Sequence, residues 1–326
     1  MKCSVRDHVP GSLLAAAALV LCAACSPSGG REAPKLVVMI GIDQFRADYL
    51  ERYDGAFSGG FRRLKDEGWR VDRALVDHAP TLSWPGHTTL ATGAHPRTHG
   101  IVSNAWFGMT EDGEPQRTLS MVDPDHAVLG HPDQWGASPL HIRVTGIADW
   151  FRGAHPEARA VALSTGPALA VPYGGLTEGP SERNHVYWLS PSLGKFITTT
   201  YYRDEYPDWV RRFNEGQLPR HMEQRIWENS IPQEYVHMAR ADESPHEGDG
   251  VHTTFPHRFE DLLGRPATEA DSVGFNRWFY NYSPGQNEAL FALAREAVES
   301  LSLGQDDVTD LLTIAIKTVD RIGHDY

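Results

Sequence analysis

"KLVVMIGID" (residues 35–43) is an uninterrupted run of apolar, largely β-branched residues that ends in an aspartate. Such a run predicts a strand buried on both faces of a parallel sheet. The figure returns near the other end of the sequence, where "DVTDLLTIAIKTVD" (307–320) carries an apolar strand into Asp320. Helical spacing separates the two. "GGFRRLKDEGW" (59–69) sets Phe61 and Leu64 on one side and charges on the other, and "NEALFALAREAVESL" (287–301) is an amphipathic helix. "ALVDH" (74–78) reads as a short strand, and the helix "IRVTGIADWFR" (142–152) leads into a strand at "ARAVALS" (158–164). The alternation predicts an α/β fold with a mostly parallel central sheet flanked by helices. Residues 173–280, rich in Trp, Tyr, Pro and His and without clear periodicity, read as a cap inserted over that sheet. The expected divisions are an export signal (1–25), a flexible tether (26–34), a first part of the core (35–172), the cap (173–280) and a return to the core (281–326).

The 326 residues suffice for one large domain or two modest ones. Against 43 acidic side chains stand 30 basic ones, for a formal charge of -13. Nothing supplies the basic footprint of a protein that grips a nucleic-acid duplex. A small anionic substrate remains open, because bound cations invert the local field. All three cysteines (Cys3, Cys22, Cys25) fall in the first 25 residues, so any transition metal elsewhere rests on His, Asp and Glu. Lys2 and Arg6 precede the apolar "GSLLAAAALVLCAA" (11–24), the grammar of an export signal rather than of a mature membrane span. "LCAAC" (21–25) resembles a bacterial lipoprotein cleavage box with Cys25 as the lipidated residue. The expectation is an exported protein, periplasmic or anchored to the outer membrane through Cys25, with plain secretion as the alternative. Nothing in the sequence sets the oligomeric state.

Ligands of open α/β sheets bind beyond the carboxyl ends of the strands, which singles out Asp43 and Asp320. His324 follows Asp320 by four residues, and a carboxylate and an imidazole at that spacing can share one divalent ion, with Gly323 letting the chain turn. The plainer alternative for either aspartate is a helix cap. "PTLSWPGHTTLATG" (80–93) then sets Thr81, Ser83, Thr88 and Thr89 around a Pro-Gly and His87. It lacks the G-x-S-x-G elbow of esterases. Ser83 stands at the start of the predicted helix, in the positive field where an anion is stabilised. Thr88 and Thr89 fall inside that helix, and Thr81 lies back toward the preceding strand. An alcohol is a weak nucleophile at neutral pH and needs a base or a metal to ionise it.

Taken together, "GIDQFRADYLERY", "GGFRRLKDEGW", "APTLSWPGHTTLATGAHPRTHGIVSNAWF", "GKFITTTYY" and "DRIGHDY" resemble the alkaline phosphatase superfamily. The nearest branch is that of phosphate-irrepressible alkaline phosphatases and nucleotide pyrophosphatase/phosphodiesterases, and the likeness runs from about residue 35 to residue 326. The resemblance implies a two-zinc site and a covalent phospho-enzyme. Ser83 matches the nucleophile, four residues before His87 of the P-x-H motif, where threonine is usual. Asn104 matches the asparagine that donates a hydrogen bond to a phosphoryl oxygen. Asp43, with Ser83, matches the ligands of the zinc that activates the nucleophile. Asp320 and His324 match ligands of the zinc at the leaving group. His87 and His99 belong to the motif and read as structural.

Three departures shape the expectation. The family completes its metal sites with an Asp-His pair and a further histidine downstream of D-x-x-G-H, whereas this sequence stops two residues after His324. It reads as truncated at its C-terminus, and a chain of this length alone is expected to bind zinc poorly and turn over little. Serine replaces threonine at position 83, keeping the hydroxyl but freeing a rotor. Phosphomonoesterases of the branch also carry a Lys and an Arg two residues apart after a central strand. The matching "AVALSTGPALAVP" (160–172) is uncharged from Ser164 to Ala168. A site without those cations discriminates less for a dianion, which favours phosphodiester or nucleotide pyrophosphate substrates. The expected function is a metal-dependent phosphoric ester hydrolase with a phosphoserine intermediate, acting on a small phosphate ester. The alternatives are an alkaline phosphomonoesterase on the same scaffold and a non-catalytic exported lipoprotein domain. A sulfatase is disfavoured, because His87 stands where that signature has arginine and no cysteine is near. Two further stretches carry open readings. "SPHEGDGVHTTFPH" (244–257) offers His246, Glu247, Asp249, His252 and His257, as a metal site or a solvated loop. "WLSPSLGKFITTTYY" (188–202) is either packing or the wall of a pocket.

Overall fold

Side chains alternate across a strand, so a strand with apolar residues at every position needs cover on both faces. In the computed structural model, which describes residues 33–71, 73–79, 81–223, 225–248 and 250–326, five strands meet that need to different degrees. They are β1 (Leu36–Ile42), β2 (Ala160–Ser164), β3 (Asn184–Ser190), β4 (Lys195–Ile197) and β5 (Asp310–Ile316). Their order in the sheet is β1-β5-β2-β3-β4. The pairs β1/β5, β5/β2 and β2/β3 are parallel, and β3/β4 is antiparallel. The sheet is therefore mostly parallel, as the sequence predicts.

Helices cover both of its faces. Leu312, Ile314 and Ile316 of β5 join Val161 and Leu163 of β2 and Tyr187 and Leu189 of β3 in one apolar cluster. The helices Ser272–Tyr282 and Gly285–Ser300 close that cluster through Phe275, Phe279, Leu290 and Leu293. On the other face Ala315, Ala162, Val186 and Trp188 meet Ala91, Leu169 and Val171 of the helices Ser83–Thr92 and Pro167–Gly174. Every residue of β5 is buried. β1 differs from its prediction: Val38 and Ile40 are each 48% exposed. Among the described residues β1 pairs on one side alone, so it is an edge strand rather than a central one.

Other expectations shift for local reasons. The helix Gly59–Glu67 forms, but it buries none of its residues, and Leu64 is exposed. "ALVDH" is irregular rather than a strand, with Leu75 and Val76 in solvent. The run is short, and no strand of the sheet pairs with it. The next helix spans Ile147–Ala154 instead of starting at residue 142, because Gly146 is extended and its N–H donates to Asp149 Oδ2 at 3.0 Å. The span 173–280 is not a single inserted block, since β3 and β4 lie within it and the sheet continues to Ile197. "NHVYWLS" is buried at every position, so it carries no alternation to betray a strand. Trp188, Phe196, Ile197, Tyr201 and Tyr202 are buried, which decides the stretch 188–202 for packing. Beyond it come short helices and a two-residue ladder between Ile226–Trp227 and His257–Arg258. The export signal, Cys25 and nearly all of the tether lie outside the described residues. Among those described, no helix is long and apolar enough to cross a membrane.

Two buried histidines tie this core to pH. His185 of β3 donates from Nε2 to the Glu182 carbonyl at 3.0 Å and accepts from Arg203 on Nδ1 at 2.9 Å. Burial, then the Arg203 charge, push its pKa down to about 3. His99 is pushed down to about 4, by burial first and the neighbouring His78 second. In the unfolded chain each titrates near about 6.5, so between these values the unfolded state binds protons that the folded state does not. Stability from these groups is complete above that window and is lost as the pH falls through it. Urea midpoints measured from about pH 8 down to about pH 5 should fall below about pH 6.5, with a shallower fall for His185→Gln. A midpoint that holds constant over the range contradicts the assignment.

Candidate active site

Ser83 is the first residue of the helix Ser83–Thr92, entered from Leu82 in extended conformation. The hydroxyls of Thr88 and Thr92 bond back to the carbonyls of Trp84 and Thr88, at 2.7 Å each. That is how a threonine inside a helix satisfies itself, and it withdraws both from chemistry. The helix ends at Gly93, whose φ of 62° a residue with a side chain adopts only at a cost.

The carboxyl ends of β1 and β5 are level, with Ile42 opposite Ile316, and the Asp43 N–H extends the ladder to the Ile316 carbonyl at 2.9 Å. Asp43 therefore stands beside the chain as it leaves β5, and Ser83 Oγ donates to its Oδ2 at 2.7 Å. The third partner is Lys317. Its ammonium donates to Asp43 Oδ2 at 2.7 Å, to Ser83 Oγ at 2.8 Å and to Asp320 Oδ2 at 2.5 Å. Its own backbone N–H is fixed on Thr165 Oγ1, beyond β2, at 3.1 Å. The ammonium and both carboxylates are largely buried, with side-chain exposures of 12%, 15% and 12% for Lys317, Asp43 and Asp320.

Asp320 does not close the strand. β5 stops at Ile316, Lys317 is the next residue, and Asp320 lies in the first turn of the helix Thr318–Asp325. His324 follows one turn on, its Nε2 3.6 Å from Asp320 Oδ1 and its side chain 69% exposed. Gly323 is helical and turns nothing; its role is space, because a Cβ there would stand 2.6 Å from Gln44 Oε1. The turn lies at Gln44 itself, with φ at 58°, a left-handed conformation that costs a residue with a side chain about 1–3 kcal/mol. Asn104 Oδ1 accepts the Trp84 N–H at 3.1 Å, which leaves the Nδ2 hydrogens for another acceptor beside Ser83.

Electrostatics hold Asp43 ionised. Burial opposes its charge, but the Lys317 ammonium, hydrogen bonds from Lys317 and Ser83, and His87 together hold its pKa below the usual carboxylate value. His87 is buried behind it, with Nδ1 3.0 Å from the Tyr173 hydroxyl and Nε2 3.9 Å from Asp43 Oδ1. Burial pushes His87 down to about 4, so it is neutral at physiological pH. His99 accepts the Ile101 N–H on Nδ1 and meets Thr89 Oγ1 on Nε2, at 3.1 Å each.

The structure thus gathers Asp43, Ser83 and Asp320 around one cation, sets Asn104 alongside, and leaves His324 further out. Lys317 is the residue that sequence reading missed. Its signal was a lone charge in an apolar run at the carboxyl end of a strand, where the run reads as continuing to Asp320. Two carboxylates, an alcohol and an imidazole suit a divalent cation chemically. Among the described residues, however, no three His, Cys, Asp or Glu side chains are grouped so as to hold one by themselves. The same holds for the stretch 244–257, where Glu247 pairs with Arg240 at 2.7 Å and His257 packs against Trp227, Phe255 and Tyr326. Asp249 of that stretch lies outside the described residues.

Residues 37–326 match the family model of type I phosphodiesterase / nucleotide pyrophosphatase. Alkaline phosphatase PhoV of Synechococcus elongatus is 31% identical over 300 residues, covering 90% of this chain and 51% of that protein. Alkaline phosphatase PafA of Elizabethkingia meningoseptica is 29% identical over 303 residues, covering 90% and 52%. The crystal structure of wild-type PafA superposes with a TM-score of 0.78 at 27% identity, over 91% of this chain and 55% of the other. The chain spans about half the length of the curated relatives it matches.

The Tyr173 hydroxyl and the His87 ring are both buried and satisfy one another, so removing the hydroxyl strands a buried nitrogen. Tyr173→Phe should cost about 1–3 kcal/mol of stability, read from urea denaturation. An unchanged midpoint would show that His87 is held by something else.

Proposed function

The chain belongs to the type I phosphodiesterase / nucleotide pyrophosphatase family, within the alkaline phosphatase superfamily, and we propose that the whole protein hydrolyses phosphoric esters through a phospho-enzyme on Ser83. One observation carries this reading: Ser83 Oγ, at a helix N-terminus, sits between a carboxylate acceptor and an ammonium donor. Oγ attacks phosphorus in line; the Oγ–P bond forms as the bond from phosphorus to the leaving oxygen breaks. The hydroxyl proton departs along the hydrogen bond to Asp43 Oδ2. Lys317, donating to Oγ, stabilises the alkoxide as it develops. Asn104 offers Nδ2–H to a phosphoryl oxygen. The leaving oxygen takes up a proton as it departs; water then attacks phosphorus, the P–Oγ bond breaks, and Ser83 regains a proton as the product leaves, a phosphomonoester from a diester and orthophosphate from a monoester.

Two carboxylates against one ammonium leave the cluster net negative, which repels a phosphate anion. We therefore read Asp43 and Ser83 as donors to one divalent cation and Asp320 and His324 as donors to a second, zinc in both cases. Bound there, such ions would supply the positive charge that an in-line displacement needs. The end of β2 adds no cation: Ser164 Oγ accepts the Gly166 N–H at 3.0 Å, and Thr165 Oγ1 accepts the Lys317 N–H. That favours monoanionic diesters or nucleotide pyrophosphate bonds. The likeness to PhoV and PafA, both alkaline phosphatases, favours monoester hydrolysis as the second reading. The reading includes export on the pattern of residues 1–25, with Cys25 as the lipid anchor.

In the complete protein, Ser83→Ala should lower kcat/KM by on the order of 10⁴-fold or more. Chelation should abolish turnover and added zinc restore it. Full activity in Ser83→Ala, or full activity after chelation, rejects the mechanism. Between an aryl monoester and its methyl diester, the diester should have the larger kcat/KM, and a strong monoester preference would decide for the second reading.

A further inference from the structure

We infer that Lys317 holds a non-bridging oxygen of the substrate's phosphoryl group, the task that the uncharged end of β2 leaves undone. The inference deepens the reading of Ser83 as nucleophile and rests on it. β2 and β5 are neighbours, with Ser164 opposite Ala315, so a side chain leaving the end of β5 serves the same space as one leaving β2. Lys317 leaves β5 at that level, is pinned to Thr165, and reaches Ser83 Oγ at 2.8 Å.

Nearby arginines are committed elsewhere. Arg321 turns back from the site to donate to the Tyr280 hydroxyl at 2.6 Å and to Asn281 Oδ1 at 3.2 Å, and it lies 4.1 Å from the Tyr280 ring centre. Arg46 pairs with Asp48 at 2.9 Å in solvent.

An ammonium has three N–H donors, and Lys317 directs one each to Asp43, Asp320 and Ser83. A residue present only to balance the carboxylates has no need of the third bond. Once phosphorus is attached, Oγ is a bridging ester oxygen and a poor acceptor. The charged non-bridging oxygens then stand one tetrahedral edge away, within reach of the N–H that served Oγ. The ammonium is already buried and already aimed, so little reorganisation accompanies the reaction. It is a point charge, unlike the planar fork of arginine, and it meets one oxygen rather than two. One such contact gives a dianion less than an arginine fork would, so a monoester gains from it only in part.

The test uses the complete protein and two variants, with orthophosphate as the probe in calorimetry, so that binding is read without turnover. Lys317→Gln should weaken orthophosphate binding by about tenfold to a hundredfold. It should also lower kcat/KM more for an aryl monoester than for its methyl diester. Lys317→Arg keeps the charge between the carboxylates, and with it the fold. Its two-pronged donor should raise the monoester-to-diester ratio of kcat/KM at least about threefold. Orthophosphate affinity unchanged in Lys317→Gln, or a ratio unchanged in Lys317→Arg, overturns the inference and leaves Lys317 as a counter-ion. Ser83→Ala, assayed alongside, separates the two claims. Retained turnover there refutes the nucleophile, while the orthophosphate comparison at position 317 stands by itself.

Discussion

Two carboxylates are buried side by side at the carboxyl edge of the sheet, and a single ammonium makes that arrangement tolerable. Charges taken out of water repel or attract far more strongly than charges on the surface. Without Lys317, Asp43 would keep the Ser83 hydrogen bond but lose the ammonium that offsets its burial. With it, Asp43 stays ionised below its usual pKa and accepts the Ser83 hydroxyl. The hydrogen bonding of the serine is thus set by a lysine just beyond the end of β5.

The fold holds this cluster through the backbone. β5 is buried along its whole length, which fixes where Lys317 emerges, and the Thr165 hydroxyl fixes how it turns. β1 is held to β5 up to Asp43, and Gln44 then leaves in a left-handed conformation, tucked against the space Gly323 leaves open. Behind Asp43, neutral His87 and Tyr173 fill the interior without adding charge. Ser83 comes from the opposite layer, on the helix that covers Ala315 and Ala162. Three elements, each anchored by burial or a ladder, therefore converge on one cation.

The runs at 35–43 and 307–320 announced strands of a parallel sheet, because apolar, β-branched and continuous sequence has few other ways to be satisfied; that the two are neighbours comes from the structure. The identities of Asp43, Ser83, Asn104 and Asp320 were legible from the motifs that carry the family likeness. Hidden from that view was whatever depends on partners distant in sequence. The edge position of β1 is set by which strands pair with it, not by its own residues. β3 escaped notice because double-sided burial erases the alternation that marks a strand. Lys317 was overlooked for a related reason: the boundary between strand and helix falls at Ile316, and the one local sign of it, the charge of Lys317, reads equally well as part of a run that continues to Asp320. A charge read as part of a strand is in fact the first residue beyond it.

The most direct measurement is to quench the complete protein during turnover, digest it and locate the phosphoryl group by mass spectrometry. With an aryl monoester as substrate, the account predicts phosphate on the peptide that contains Ser83, assigned to that residue and absent from Ser83→Ala. Phosphate on Thr81, Thr88 or Thr89, or turnover with no phosphorylated peptide under conditions that trap a phosphoserine standard, would contradict it.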